Sequence, residues 1–582
     1  MDNRHARKQR NAQVALTHLT FAKRKSTLVR SLPRAVVAVP ILCAVMFGIT
    51  SLRWPLVGDA SLMHYIVFLV ERGFAPYKDI VDVNLPGTYI AGWIVMHLFG
   101  DGALAWRLYD LALGLAAAGA MAAIAWPYDR LAGVFAGALF ILIHGRDGMA
   151  ELGQRDLLMA VVLLWSVAFT LYALRRRQVL FISLAAALAG FAFTIKPTAL
   201  LFWIATLVFT TLLQRSREKS PLSSFGGSAG LQPCEIADEI KGLQPRAVLP
   251  APTDALHSGN SWKPSQWLHN GIWPFLLAPA IALGFLIHTR SLDSFWFIAT
   301  RLIPFHNSLL RFPNSYFLLH ILPSTLIPLS LLCLVVLYLR KNERITLLNE
   351  TEVLLALNVL CGLLSFYVQR KALPYHRYPA DAFLLLLLCL IFFRSLEDTH
   401  ASATLRIASA TGVLFAAFIL APQSLARTFR LRSSPSGFSR LLQQDLTQLG
   451  GPSLDGNVQC IDFTAGCITT LYRMKLAQST GFLYDCYALQ PDSDPVAQQY
   501  RRAFWNALVA HNPRVLVLTD EDCGHPRSFN KLLRWPQLDT FITSRYTLYK
   551  QVTPPDPIRW TDIAEPPYSY RIYLLRNEDP SD

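Results

Sequence analysis

The chain has 582 residues, of which 53% are hydrophobic and only 16% charged, and its mean hydropathy is +0.32. A soluble chain carries about 25% charged residues, so this composition excludes an ordinary soluble enzyme and points to a polytopic membrane protein. The formal charge is +15. Much of it sits in short basic segments between apolar runs, which implies anionic membrane lipid, and no nucleic acid, as the partner.

In chain order, the segment 1–34 is basic, with MDNRHARKQR followed by Lys23-Arg24-Lys25. No small-residue cleavage site follows the first apolar run at 35–53. This reads as a cytoplasmic N-terminus and a retained signal anchor in the inner (plasma) membrane. Further apolar stretches fall at 87–99, 107–126, 131–144, 157–174, 179–195, 197–213, 270–288, 316–339, 352–368, 380–393 and 403–421. Most suffice to cross a hydrocarbon core about 30 Å thick. The stretch from Pro86 to Phe99 is too short and reads as a re-entrant or interfacial helix.

Charge supports that reading. If 87–99 stays on one side, Arg175-Arg176-Arg177, the Arg215 to Lys219 cluster, Arg340-Lys341 with Arg344, and Arg394 all join the cytoplasmic N-terminus. If it crosses, the whole basic set moves outside, against the orientation bias. The first arrangement predicts an α-helical polytopic membrane protein with about eleven transmembrane helices. It divides the chain into an N-terminal transmembrane module at 35–213 with an outer loop at 54–106, a cytoplasmic Pro/Ser/Gly-rich insertion at 214–268, a second transmembrane module at 269–424, and an extracytoplasmic domain at 425–582. In that last part a helix from Ala497 to His511 runs into the strand Val515 to Leu518. Strands at 458–463, 546–552 and 570–575 complete a small C-terminal α/β domain. Its Cys460, Cys467, Cys486 and Cys523 lie where an oxidising compartment allows disulfides, in any of three pairings.

The outer segments hold Asp59, Asp79, Asp82, Arg107, Asp156, Arg301, His306, Lys371, His376 and Arg377. Ionisable groups at membrane depth are costly and usually functional, so this one-sided set predicts a site opening outward. Asp59 follows the first membrane exit and precedes an amphipathic helix at 60–72. Pro86 opens the short helix, Arg107 begins a span, and Gln154-Arg155-Asp156 begins another. QRKALPYHRYPADAF leads into a later one.

This order resembles the GT-C class of polyprenyl-phosphate-sugar glycosyltransferases. That class includes the protein O-mannosyltransferases, the aminoarabinose transferases that modify lipid A, and relatives that decorate lipopolysaccharide cores. The resemblance covers residues 35–215 well and 350–400 loosely. It implies that Asp59 is the acidic residue of the first outer loop, that Arg107 and Asp156 open their spans as in the class, and that Lys371, His376 and Arg377 form the later basic set. The chain departs from the pattern at Ala60, where a glutamate often follows the aspartate.

The chemistry suits these residues independently. A sugar on a lipid phosphate is already activated, so the protein must supply a carboxylate to take a proton from the acceptor hydroxyl. Fixed cations must bind the departing phosphate. Asp59 is the expected base, while Lys371, Arg377 and Arg107 are the expected phosphate contacts. Asp156, beside Arg155, orients the acceptor or a partner arginine, and His376, Asp79 and Asp82 are further candidate substrate contacts. Each has a plainer competing role: a solvated turn for Asp79 and Asp82, a helix cap for Asp156, and interfacial anchoring for Arg107, His376 and Arg377. No glycine-rich phosphate loop is present, no cofactor is called for, and a divalent metal on Asp79, Asp82 and a histidine has no supporting spacing. The expected activity is hexosyl or pentosyl transfer, with inversion, to a lipid glycan, an envelope polymer or a protein. Its rivals are a secondary transporter, which calls for paired half-repeats, and a non-catalytic sensor or scaffold.

Overall fold

The computed structural model describes residues 34–176, 178–218, 264–309, 311–430, 437–559 and 564–576. The basic segment 1–34 and the insertion 214–268 therefore lie almost wholly outside the described residues, as does Arg177. The first half contains α1 (Arg34–Ser51), α2 (Asp59–Glu71), α3 (Pro86–Phe99), α4 (Ala103–Ala125), α5 (Arg130–Asp147), α6 (Arg155–Arg176), α7 (Val179–Ile195) and α8 (Ala199–Glu218). The second contains α9 (Pro264–His288), α10 (Leu292–Phe297), α11 (Ile303–Ser308), α12 (Asn314–His320), α13 (Leu326–Asn342), α14 (Glu350–Gln369), α15 (Tyr378–Glu397), α16 (Ala403–Phe415) and α17 (Ala421–Arg430). Among the described residues, eight helices are long and apolar enough to cross a membrane. Their outward faces carry exposed Leu42, Ile49, Leu115, Ile204, Leu212, Leu360 and Phe418, as a lipid-facing surface requires.

Between the helices the packing depends on small residues. A side chain on Gly190 of α7 would collide with the Phe275 carbonyl of α9, at 2.0 Å. Gly137 of α5 likewise sits on the Ala118 backbone of α4. Close approach of this kind replaces the hydrophobic drive that a bilayer does not supply. The apolar stretch 316–339 is not one helix. Pro323 cannot continue the hydrogen-bond ladder of α12 and disfavours helical geometry before it, so the chain breaks between α12 and α13.

The C-terminal domain adds α18 (Gly437–Gln448), α19 (Cys467–Met474), α20 (Pro495–His511) and α21 (Pro536–Arg545) around strands β1 (Val458–Ile461), β2 (Val515–Thr519), β3 (Tyr546–Val552), β4 (Ile558–Arg559), β5 (Ala564–Glu565) and β6 (Tyr570–Leu575). Four of these make a sheet in the order β1-β2-β6-β3. β1 and β2 are parallel, and β6 is antiparallel to both its neighbours. Disulfides join Cys460 to Cys467 and Cys486 to Cys523, one of the three pairings open to the sequence.

This domain sits on the loop that carries α2 and α3. Ser61 and Thr469 hydroxyls are 2.6 Å apart, the Gln478 amide donates to the Tyr65 hydroxyl at 2.7 Å, and Arg72 pairs with Asp455 at 2.5 Å. The two flanks of α3 are held by the same domain. Tyr484 donates to Asp82 before α3 at 2.7 Å, and Tyr472 donates to the Asp101 carbonyl after it at 2.5 Å. α3 has 14 residues, roughly 21 Å of helix, and both its flanks bind the same C-terminal domain, which is what a non-crossing helix requires. Cysteines introduced at the exposed positions Lys78 and Gly102 should therefore react with an impermeant maleimide from the same side of the membrane. Labelling of only one of them would show that α3 crosses.

Candidate functional site

Asp59 is the first residue of α2, where the helix N-terminus favours a carboxylate. Its Oδ2 accepts from Gln154 Nε2 at 3.2 Å and lies 3.5 Å from the Tyr375 hydroxyl. Gln154 is itself fixed by the Ala150 carbonyl at 3.2 Å. Asp156, in the first turn of α6, is fully buried, and its Oδ1 accepts from Lys196 Nζ at 2.6 Å. Its other oxygen has no hydrogen-bond partner, with Arg155 Nε 4.0 Å away. Among the described residues no hydrogen bond occupies the Arg155 guanidinium.

Lys371 completes the group. It lies between two residues in left-handed conformation, Arg370 at φ 52° and Ala372 at φ 49°. Such geometry costs a non-glycine residue of order 1–2 kcal/mol and persists where the surroundings enforce it. Its ammonium bonds to His306 Nε2. Burial, with Arg155 and Lys196 nearby, pulls the Lys371 pKa down to about 7 although Asp59 opposes the shift. Burial and Arg155 bring Lys196 to about 8 against the pull of Asp156. His306 is lowered well below the ordinary histidine value by burial, Lys371 and Arg155. His376 is buried, its Nδ1 lacks a partner, and Lys196, Arg155 and Lys371 are its charged neighbours. Three cations therefore crowd around two carboxylates in a poorly solvated place. An anion fits there.

Several expected residues lie elsewhere. Arg107 is 1% exposed and donates to Asp110 at 3.0 Å and to Ser51 at 2.6 Å. Asp110 also binds His144 at 2.8 Å and the Gly153 amide at 2.6 Å, and His144 reaches the Tyr378 hydroxyl at 2.9 Å. Arg107 is thus locked into a buried network and is neither an interfacial anchor nor open to phosphate. Asp82 is equally committed. Its carboxylate accepts from the Asn84 amide and side chain, Tyr89 and Tyr484, which leaves it no room as a substrate contact. Asp79 is exposed, accepts from the Ala75 amide at 2.9 Å and lines a shallow cleft against the C-terminal domain, apart from Asp59. Arg377 donates to the His320 carbonyl at 3.1 Å and faces Asp381, 4.0 Å away, so it turns from the Lys371 group. Among the described residues no three His, Cys, Asp or Glu side chains converge as a metal site.

Sequence reasoning missed Lys196, Gln154, Tyr375 as a ligand of Asp59, and the buried Glu151. Glu151 is raised well above the ordinary carboxyl value by burial, with Asp147 and Asp59 adding to the shift. Lys196 carried one readable signal, a lone cation between two apolar runs, α7 and α8, at the end of the bundle opposite the basic clusters.

Residues 86–232 match the family described as dolichyl-phosphate-mannose-protein mannosyltransferase. The structure is similar to that of ArnT from Cupriavidus metallidurans in the apo state, with a TM-score of 0.55 and 14% identity over 92% of this chain and 97% of that one. The fold is that of the GT-C glycosyltransferases. The ArnT structure bound to undecaprenyl phosphate gives a TM-score of 0.52 and 13% identity, again over 92% and 97% of the two chains. No curated protein matches the sequence. Within this GT-C fold, Asp59, Asp156 and Lys371 come to one end of the helix bundle beneath the C-terminal domain.

The division between structural and site carboxylates is testable by stability. Asp82→Ala leaves four buried donors without an acceptor and should lower the stability of the detergent-solubilised protein by at least about 3 kcal/mol. Tyr484→Phe removes one donor and should cost about 1 kcal/mol, while Asp59→Asn should leave the thermal midpoint nearly unchanged. An Asp82→Ala protein as stable as wild type would return Asp82 to the list of site residues.

Proposed function

We propose that this chain is a membrane glycosyltransferase that moves a sugar from a polyprenyl-phosphate carrier to an acceptor hydroxyl at the outer face of the membrane. The observation that carries this reading is the excess of cations around Asp59. Burial, with Arg155 and Lys196 beside it, brings Lys371 down to about 7, and Asp59 and Asp156 are the nearby carboxylates that oppose the crowding. A bound phosphate relieves that repulsion. The undecaprenyl phosphate held by the similar ArnT supports the same class of donor here.

In this reading Asp59 takes the proton from the acceptor hydroxyl as its oxygen attacks the anomeric carbon. The bond from that carbon to the phosphate oxygen breaks, its electron pair leaves on the phosphate, and Lys371 and Arg155 stabilise the charge that develops. Direct displacement inverts the anomeric centre. Gln154 and Tyr375 hold Asp59 in place, and the Lys196–Asp156 pair fixes the floor of the site. Asp156 thereby acts by positioning, and His376 adds a donor or acceptor on the donor side. The transferred unit is a hexose or a pentose, and the acceptor a lipid glycan, an envelope polymer or a protein.

Asp59→Asn should assemble normally yet lose transfer by 100-fold or more, the usual scale of a general base, with donor binding retained. Full residual transfer would remove Asp59 from the mechanism. Lys371→Ala should raise the KM for donor about tenfold or more, equivalent to one charge-assisted hydrogen bond, and leave the KM for acceptor unchanged. Equal effects on both would count against a phosphate contact. Mass spectrometry of envelope glycans and glycoproteins from a deletion strain identifies the acceptor. Unchanged glycans with lost solute uptake would favour a transporter.

A further inference from the structure

The Lys371 ammonium does not end the chain of contacts. His306 Nδ1 lies 2.7 Å from the hydroxyl of Tyr487, a fully buried residue of the C-terminal domain. We propose that Tyr487 is a positioning residue that fixes the His306 tautomer and thereby keeps Lys371 charged, so that the docked C-terminal domain sets the affinity of the site for a phosphate. This inference rests on the reading of the Lys371 group as a donor-phosphate site.

The argument is one of donors and acceptors. An ammonium has three donors and no acceptor, and a neutral imidazole has one of each. A charged Lys371 therefore needs the lone pair on His306 Nε2, which places the ring proton on Nδ1. That proton needs an acceptor because the ring is largely shielded, and among the described residues the Tyr487 oxygen, which accepts as well as donates, is the one in hydrogen-bonding reach. His306 stays neutral, since burial, Lys371 and Arg155 all oppose its protonation. Without the tyrosine oxygen, the Nδ1–H tautomer leaves a buried donor unpaired. The ring then favours Nε2–H, which points a donor at a donor and drives Lys371 to its neutral form. The other titratable groups facing Lys371 are Arg155 and Lys196, which disfavour its proton, Asp59, which favours it, and the buried His376. Of these groups Arg155 also bears on Tyr487, and the phenylalanine leaves that guanidinium in place.

The tyrosine is held firmly enough for this task. Its ring packs edge-on against Tyr500 at 5.2 Å and Tyr484 at 5.6 Å. Tyr500 donates to the Tyr484 carbonyl at 2.7 Å. The adjacent Cys486 is tied by its disulfide to Cys523, just beyond β2. Two tyrosines of one pinned segment thus reach back to the bundle, Tyr484 onto Asp82 and Tyr487 onto His306.

The test measures binding of undecaprenyl phosphate to the full-length protein in detergent from pH 5.5 to 8.5. In wild type the affinity should fall as Lys371 loses its proton through about pH 7. In Tyr487→Phe the midpoint should move about one pH unit lower, a roughly fivefold loss of affinity at pH 7 with near-wild-type affinity at pH 5.5. Tyr484→Phe, which breaks the contact to Asp82, should keep the wild-type midpoint. An unshifted midpoint in folded Tyr487→Phe, or the same shift in Tyr484→Phe, overturns the inference. Should Tyr487→Phe not fold, His306→Leu removes the acceptor directly and must lower the midpoint, and an unchanged one overturns it equally. If wild type binds the lipid phosphate at no pH, it is the donor-site reading that fails.

Discussion

Asp82 is the point on which the arrangement of the site depends. A buried carboxylate is tolerated only when its oxygens are filled with donors, and here the four donors come from three parts of the chain. Asn84 supplies two from the loop, Tyr89 one from α3, and Tyr484 one from the C-terminal domain. Satisfying that one group fastens the loop, the short helix and the outer domain together. Once they are fastened, both flanks of α3 lie against the same domain, and the segment carrying Tyr484 also presents Tyr487 to His306. The Gly481–Asp79 contact tightens the same seam, because a side chain on Gly481 would fall 1.9 Å from the Asp79 carbonyl.

The buried charges divide by whether their partners are complete. Arg107, Asp110, His144, Ser51 and Tyr378 form a network in which nearly every polar atom has its complement, and such a network holds helices together. Arg155, Lys371, His376 and the free oxygen of Asp156 are different. They are poorly solvated, close to one another, and short of hydrogen-bond partners, a state that costs stability and persists where a ligand completes it. Burial alone would have grouped Arg107 with Arg155. The hydrogen-bond complement separates a brace from a binding group.

Much of this was legible in the sequence, and the illegible parts have a common cause. The short helix from Pro86 to Phe99 is readable from length and from its opening proline, and Asp59 and Asp156 from their places at helix starts. The strands at 546–552 and 570–575 follow from β-branched and aromatic enrichment. Arg107 was misleading because its partners are invisible locally. Asp110 is one turn away, but Ser51 and His144 lie on other helices. Asp82 looked like a polar turn residue because two of its four donors, Tyr89 and Tyr484, are distant in sequence or presented by tertiary packing. The break at Pro323 was hidden by apolar residues on both sides, since a hydropathy average does not register a missing backbone donor. Tyr487 lay beyond any local pattern: nothing around it announces that the tail folds back onto His306.

The placement of Lys196 and Lys371 ties topology to chemistry. Arg175, Arg340, Lys341 and Arg394 gather at one end of the bundle, the kind of one-sided basic cluster that the positive-inside bias favours. Lys196 and Lys371 stand at the opposite end, in turns between apolar helices, where neither solvation nor the orientation bias favours them. Lys196 is held there by Asp156. Lys371 has no carboxylate within hydrogen-bonding distance among the described residues, and its nearest partner is the neutral ring of His306. A cation kept on the disfavoured side, between two strained residues and without an acidic partner, makes physical sense if its counter-charge arrives with the substrate. The same reasoning explains why its support comes through a histidine and a tyrosine: a carboxylate in that place would neutralise the lysine permanently and exclude the phosphate.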